Sequence, residues 1–279
     1  MVVFPNCKIN VGLNILRKRE DGYHDLDTIF YPIPITDVLE ILPSSNQNDP
    51  VEFSMSGIQM DANKEDNLCI KAYWLLKKDF AHLPPIKMHL HKSIPMGAGL
   101  GGGSADAAFT LRLLNDKFNL GCSTKQLIEY AAALGSDCPF FILNTAAAAT
   151  GRGEQLTSTN LNLKGYQLIL VNPGIHISTK EAFAQLKPCI PGKSINEIIQ
   201  QPIHCWPNEL KNDFESSIFI SHPAIAWIKS SFYQQGALFA SMSGSGSTVY
   251  GIFPKDAPAF LLPTESYDTS GYWIKSIQL

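Results

Sequence analysis

The spacing of hydrophobic and polar positions changes several times along this chain, and each change marks an element. Residues Ile86–Ile94 (IKMHLHKSI) alternate apolar and polar, the period-two pattern of a half-buried strand. A glycine-rich turn follows, and after it Ala107, Leu111 and Leu114 recur at helical spacing. Upstream, Val2–Leu16 reads as a strand, Val38–Leu42 and Val51–Met55 as a strand pair around a polar loop, and Asn67–Phe80 as a helix. Ser123 and Gln126 make a capping box for a helix with Leu127, Ala131 and Leu134 on its buried stripe and Gly135 as its stop. Tyr166–Val171 is a strand, and Ser178 with Thr179 caps a short helix carrying Glu181, Ala182 and Phe183. Pro223 opens a helix that buries Ile225, Ile228 and Phe232 and ends at Gly236. Strands Ala237–Ala240 and Val249–Phe253 flank a Ser/Gly turn; a short helix near Ala257–Leu262 and a strand Tyr272–Gln278 close the chain. The fold class is α/β (α+β).

Composition narrows the class. The 279 residues suffice for one large or two ordinary domains, and 45% hydrophobic with 17% charged residues describes a globular chain. A net charge of −3 argues against a nucleic-acid surface, so an anionic ligand must be held by local features. The six cysteines are scattered without a CxxC pair, which argues against a zinc knuckle or redox dithiol and for reduced, buried thiols. No stretch resembles a signal peptide, and no apolar run reaches the roughly eighteen residues of a membrane helix. The expected location is the cytoplasm, with neither membrane nor nucleic acid as partner.

Candidate chemistry centres on PMGAGLGGGSADAA, Pro95–Ala108. A strand, a glycine turn and a helix start made of small residues present bare backbone N–H groups to an anion at the positive end of a helix. A P-loop would need a lysine after the glycines, and none is there. Gly97, Gly99 and Gly102 satisfy GxGxxG, but the strand in front carries His89, His91 and Lys92, and no acidic residue closes a second strand about twenty residues on. A flexible linker does not fit a loop abutted by an apolar strand and helix. His89-x-His91 has no third ligand nearby and reads as surface strand. Lys8 and Asn10 share one strand face, where a lone lysine is ordinarily a surface residue. Asn67 reads as a helix N-cap, and Asp137, between a helix and the apolar run PFF, reads from spacing alone as another cap. Tyr23-His24 is either structural, a source of a general base, or a pair able to stack on a planar heterocycle.

Taken together, these segments resemble the GHMP kinases, small-molecule kinases whose phosphate loop has the form P-x-x-x-G-L-x-x-x-S, matched by Pro95, Gly99, Leu100 and Ser104. The family's P-x-K-I-N-L-x-L motif is matched at Lys8 and Asn10, with Asn6-Cys7 where one small residue is usual. Its G-x-D-x-P-F-F segment is matched at Asp137, with Cys138 replacing an aliphatic residue. Matches to G-x-G-E at Gly151–Glu154, N-P-G-x-x-x-S-T at Asn172–Thr179 and M-S-G-S-G-S at Met242–Ser247 follow in order. The segment DGYH, Asp21–His24, resembles one branch of the family, in which it recognises a cytidine group.

The resemblance implies two α/β domains, an ATP-binding domain 1–156 and a C-terminal domain 157–279, with the active site in the cleft between them. It implies ATP and Mg²⁺, and phosphorylation of the 2-hydroxyl of 4-diphosphocytidyl-2-C-methyl-D-erythritol on the non-mevalonate route to isoprenoid precursors. It implies that Lys8 and Asp137 are the catalytic pair. Asn67 and Lys92 contact the nucleotide, along with the loop residues Pro95, Met96, Gly97, Ala98, Gly99, Leu100, Gly101, Gly102, Gly103, Ser104 and Ala105. Asn10, Tyr23, His24, Phe30, Thr179, Phe183 and Gly244 contact the acceptor. No protein ligand to the metal is assigned, and a homodimer is left open.

Overall fold

Alternation along the strand that feeds the glycine turn becomes alternation in burial: Ile86, Met88, Leu90 and Lys92 point inward while Lys87 and His91 face out. A computed structural model describes residues 1–58, 64–184, 186–263 and 266–279. Its strands are β1 (Val2–Val3), β2 (Asn6–Lys18), β3 (His24–Thr36), β4 (Val38–Pro43), β5 (Val51–Gly57), β6 (Ile86–Lys92), β7 (Ala147–Thr150), β8 (Gln155–Ser158), β9 (Tyr166–Asn172), β10 (Phe239–Met242), β11 (Val249–Pro254) and β12 (Trp273–Gln278). Its helices are α1 (Leu68–Asp79), α2 (Gly102–Phe118), α3 (Thr124–Leu134), α4 (Cys138–Leu143), α5 (Thr179–Ala184), α6 (Ile195–Ile198), α7 (Glu215–Ser221) and α8 (Pro223–Gln234). Among the described residues no helix is long and apolar enough to cross a membrane.

Contacts group the chain into two compact units, each assembled from several stretches. The first comprises Met1–Lys8, Pro32–Met96 and Gly101–Thr145; the second comprises Ile9–Tyr31, Gly97–Leu100 and Ala146–Leu279. The expected boundary at 156/157 falls inside β8, within the second unit.

In the first unit the sheet order is β1-β4-β6-β5, with β6 antiparallel to β4 and parallel to β5. The expected strand pair of Val38–Leu42 with Val51–Met55 does not form, because β6 lies between the two. The stretch joining them, Ser44–Pro50, is longer than the two to five residues of an ordinary hairpin loop. A parallel neighbour to β5 requires a crossover, and α1 supplies it. The side chain of Asn67 caps α1 by accepting from the Cys69 N–H at 2.9 Å, and Ser123 with Gln126 forms the expected capping box on α3. Helix α3 does stop at Gly135, but at φ 172 and ψ 157, an extended conformation open to any residue. What favours glycine there is space: a Cβ would sit 3.3 Å from the Cys138 sulfur.

The second unit holds the antiparallel sheet β10-β11-β9-β12 and most of the sheet β2-β3-β7-β8. Its core joins Leu13 and Ile15 of β2 to Val171 of β9, Ile218 of α7, and Ile228 and Phe232 of α8. The short helix expected near Ala257–Leu262 is absent. Pro258 removes a backbone donor and Pro263 disfavours helical geometry at Leu262, so the segment instead lays Ala257, Phe260 and Leu262 against the core without regular structure.

Candidate active site

The glycine turn is rooted by its small and apolar members. Ala98, Leu100, Gly102 and Ala105 are buried, while Met96, Gly97, Gly99, Gly101, Gly103 and Ser104 stay more open, and Pro95 is half-buried. Gly99 and Gly101 adopt φ +78° and +69°, left-handed values that L side chains rarely take. Gly99 also meets a close neighbour, since a Cβ there would lie 1.9 Å from the Ser243 carbonyl oxygen. The Ser243 hydroxyl donates to the Gly99 carbonyl at 2.8 Å, and the Thr248 N–H donates to the Ala98 carbonyl at 3.2 Å. The M-S-G-S-G-S turn thus clasps the first half of the glycine loop. The second half becomes the first turn of α2, a 17-residue helix whose opening N–H groups have no partner within the helix.

Lys8 is 3% exposed, against the surface position ordinarily expected of a lone lysine. Both faces of β2 are covered from Asn6 to Ile15, so its sequence shows no clean alternation. The Lys8 ammonium lies 3.2 Å from Asp137 Oδ2. Asp137 does stand at the N-cap position of α4, but its side chain makes no capping hydrogen bond and turns to Lys8 instead. Gly101 leaves room for this pair, because a Cβ there would come within 3.1 Å of Lys8 Cε and 3.0 Å of the Phe141 ring. Cys138 is fully buried, and burial pushes its thiol up to about 12. The result is a carboxylate about a third exposed, held by a buried ammonium, beside backbone that can accept an anion.

Two residues further along β2, Asn10 belongs to a different set of contacts. Its side-chain amide donates to the Thr28 hydroxyl at 3.0 Å, and its backbone N–H donates to Ser243 Oγ at 3.1 Å. Gly244, at φ +56°, sits where a Cβ would be 3.3 Å from Asn10 Oδ1 and from the Gly99 Cα. Four residues that carry this cluster were not singled out in the sequence as site residues: Thr28, Ser243, Asn212 and Glu215. The Asn212 amide donates to the carbonyls of Met242 and Gly244, each at 2.8 Å. Glu215 accepts from the Met242 N–H at 2.8 Å and pairs with Lys229 at 2.6 Å. For Asn212 and Glu215 the local signal is the segment N-D-F-E at 212–215, which reads as a helix start, and Ser243 lies within the M-S-G-S-G-S match.

His24 and Phe183 stack with ring centroids 4.5 Å apart and planes 24° from parallel. Burial, and secondarily Lys18, hold the His24 imidazole below its ordinary pKa, which favours the neutral ring. Tyr23 is exposed, with the Arg152 guanidinium 4.9 Å over its ring. Phe30 is buried in β3 opposite Ala147. Thr179 begins α5, and its side chain lies outside the described residues.

The side chain of Lys92, expected at the nucleotide, is instead fully buried, its ammonium bonded to Asp37 and to Asp106. Inward-facing positions of β6 make this unavoidable, since Lys92 is in register with Ile86, Met88 and Leu90. His89 and His91 hydrogen-bond Ser54 and Ser56 across the sheet, and among the described residues no cluster of three or more His, Cys, Asp or Glu could hold a metal.

Residues 67–145 match the family described as GHMP kinases N terminal domain, and residues 197–262 match GHMP kinases C terminal. The chain is 52% identical over 253 residues to the 4-diphosphocytidyl-2-C-methyl-D-erythritol kinase of Bacteroides fragilis, covering 91% of this chain and 92% of that one. To the enzyme of the same name from Bacteroides thetaiotaomicron it is 50% identical over 275 residues, 99% of each. A crystal structure of 4-(cytidine 5'-diphospho)-2C-methyl-D-erythritol kinase superimposes with a TM-score of 0.75 at 30% identity, over 90% of both chains. The buried lysine–aspartate pair, the clasped glycine loop and these likenesses over nearly the whole length lead to one assignment: the chain belongs to the GHMP kinases, within the family of 4-diphosphocytidyl-2-C-methyl-D-erythritol kinases.

Proposed function

We propose that this protein transfers the γ-phosphoryl group of ATP to the 2-hydroxyl of 4-diphosphocytidyl-2-C-methyl-D-erythritol. The observation that carries the reading is the Lys8–Asp137 pair at 3.2 Å, in the unit that also holds the partly exposed Gly101, Gly103 and Ser104. Phosphoryl transfer asks a protein mainly for positioning and for offsetting charge on the transferring group. Backbone N–H groups of the glycine turn and the start of α2 receive the phosphates. Lys8 offsets negative charge that develops as the bond to ADP breaks. Asp137 accepts the proton of the attacking hydroxyl as its oxygen bonds to phosphorus. That hydroxyl is tertiary and crowded, so orientation counts for more than basicity.

Mg²⁺ enters this scheme bound to the triphosphate, as part of the ATP substrate. Mg²⁺ keeps several waters and typically binds through substrate phosphates and one or two carboxylates. That suits a site in which Asp137 is the partly exposed carboxylate. The neutral His24 ring stacked on Phe183, with Tyr23 exposed beside it, offers a platform for a pyrimidine. Six free cysteines suit the reduced cytoplasm, where ATP is also available.

The test is ADP release with 4-diphosphocytidyl-2-C-methyl-D-erythritol against the same methylerythritol without its cytidine diphosphate. Turnover of the full substrate alone is expected. ATP binding without turnover of either compound would overturn the proposal and point to another acceptor or a non-catalytic nucleotide binder.

A further inference from the structure

We propose that the buried triad Asp37–Lys92–Asp106 sets the pose of the glycine turn, and that Asp106 is a positioning residue for ATP affinity. The inference rests on the ATP-using reading above.

The geometry is specific to the root of the loop. Lys92 ends β6, and Ser93 and Ile94 lead straight into Pro95. Asp37 Oδ1 accepts from the backbone N–H of Ser93 at 2.6 Å and of Ile94 at 2.9 Å, so Asp37 grips the chain entering the loop. Its other oxygen bonds the Lys92 ammonium, which also donates to Asp106 Oδ2 at 2.7 Å. Asp106 lies early in α2, on the chain leaving the loop. One ammonium therefore joins the entry of the turn to its exit. The fit is close, because a Cβ on Gly102 would lie 3.4 Å from Lys92 Nζ and 3.1 Å from Ile94.

Stability alone is a weak reason for such a group. Buried ion pairs can often be replaced by apolar side chains at no loss, since desolvation cancels most of the attraction. This one is also unbalanced, with two carboxylates to one ammonium, and among the described residues Asp106 Oδ1 is buried with no hydrogen-bond partner. Burial, with the Asp37 charge adding to it, pushes the Asp106 carboxyl up to about 7 despite Lys92. The other titratable groups facing the triad are the thiols of Cys69 and Cys7, both raised by burial and hence neutral. Below pH 7 the triad is a neutral assembly; above it, a buried negative charge stands under the phosphate loop.

The experiment measures ATP dissociation constants calorimetrically, without acceptor, for wild type, Asp106→Asn and Lys92→Met from pH 6 to 8. The ratio of wild type to Asp106→Asn at each pH cancels the titration of ATP itself. It should be near one at pH 6 and rise to about fivefold at pH 8, the size of one unit charge acting on the phosphates at partly screened range. Lys92→Met should bind ATP about tenfold or more weakly, because the loop that receives the phosphates loses the tie between its entry and its exit. A ratio independent of pH would overturn the role of Asp106, and a folded Lys92→Met with wild-type ATP affinity would overturn the triad's role. If Lys92→Met fails to fold, the isosteric Asp106→Asn decides alone. Because no acceptor is present, a failure here is separate from a failure of the proposed reaction, which the ADP-release assay reads.

Discussion

Adding one methyl group at Gly99 should damage this protein far more than adding one at Gly103, four residues away. Gly99 holds φ +78°, and an L residue in that region costs about 1 kcal/mol or more. The new Cβ would lie 1.9 Å from the Ser243 carbonyl oxygen, 2.8 Å from its carbon and 3.3 Å from the Gly246 nitrogen. All three are backbone atoms, so no side chain can swing aside, and the turn and the glycine loop must part by about an ångström or more. That movement weakens the Ser243–Gly99 and Thr248–Ala98 hydrogen bonds, each worth about 1 kcal/mol. The sum is about 3 kcal/mol or more, a fall in Tm of roughly 6–12 °C for a chain of this size. Gly103 is different: it is helical, and a Cβ there would touch only the far end of the Met96 side chain, at 3.0 Å. Alanine is the better helix former by about 1 kcal/mol, so Gly103→Ala should be neutral or slightly stabilising. Thermal melts and the KM for ATP measured on both variants read the result. Equal behaviour of the two, or a Gly99→Ala protein with wild-type Tm and KM, would refute the clasp between the loop and Ser243.

Three further outcomes follow from the site. Asp137→Asn should lower kcat by about 10²-fold or more, the size typical of acid–base groups; near-wild-type kcat would leave Asp137 as a structural partner of Lys8. His24→Ala, Tyr23→Ala and Phe183→Ala should raise KM for the cytidine substrate while KM for ATP holds, and an effect on ATP instead would overturn the stacking assignment. Asp106 also predicts a stability trend, because its folded pKa of about 7 lies above the ordinary 3.8. Its contribution is fully present below about pH 4 and is lost as pH rises to 7. Urea denaturation should therefore show wild type losing stability relative to Asp106→Asn across that window, and a pH-independent difference would contradict the buried, protonated carboxyl.

What was legible in the sequence divides by the range of the interaction. Capping by Asn67, the Ser123–Gln126 box and the Pro223 helix start depend on neighbours within four residues, and each is found where the pattern puts it. The Val38–Leu42 and Val51–Met55 strands are also present, but their partner β6 comes from Ile86–Lys92, well past the end of β5 at Gly57. Nothing local announces that insertion. Lys92 is the instructive case, since the same period-two reading that marks Ile86, Met88 and Leu90 as buried applies to Lys92 as well. The family resemblance implies nucleotide contact for it, whereas its parity along the strand demands burial and hence counter-charges. Asp37 and Asp106 are those counter-charges, 55 and 14 positions away. Lys8 escaped the same logic because β2 is covered on both faces and has no parity to read. The clasp on the loop lies further out of reach: Ser243 meets Gly99 across 144 positions and Asn10 across 233. A glycine at 99 shows locally that something comes close or that φ is positive, but only the fold names the carbonyl that would strike a side chain there. The chemistry-bearing residues were therefore readable as types, and the residues that hold them in place were not, because their meaning arises only when distant strands meet.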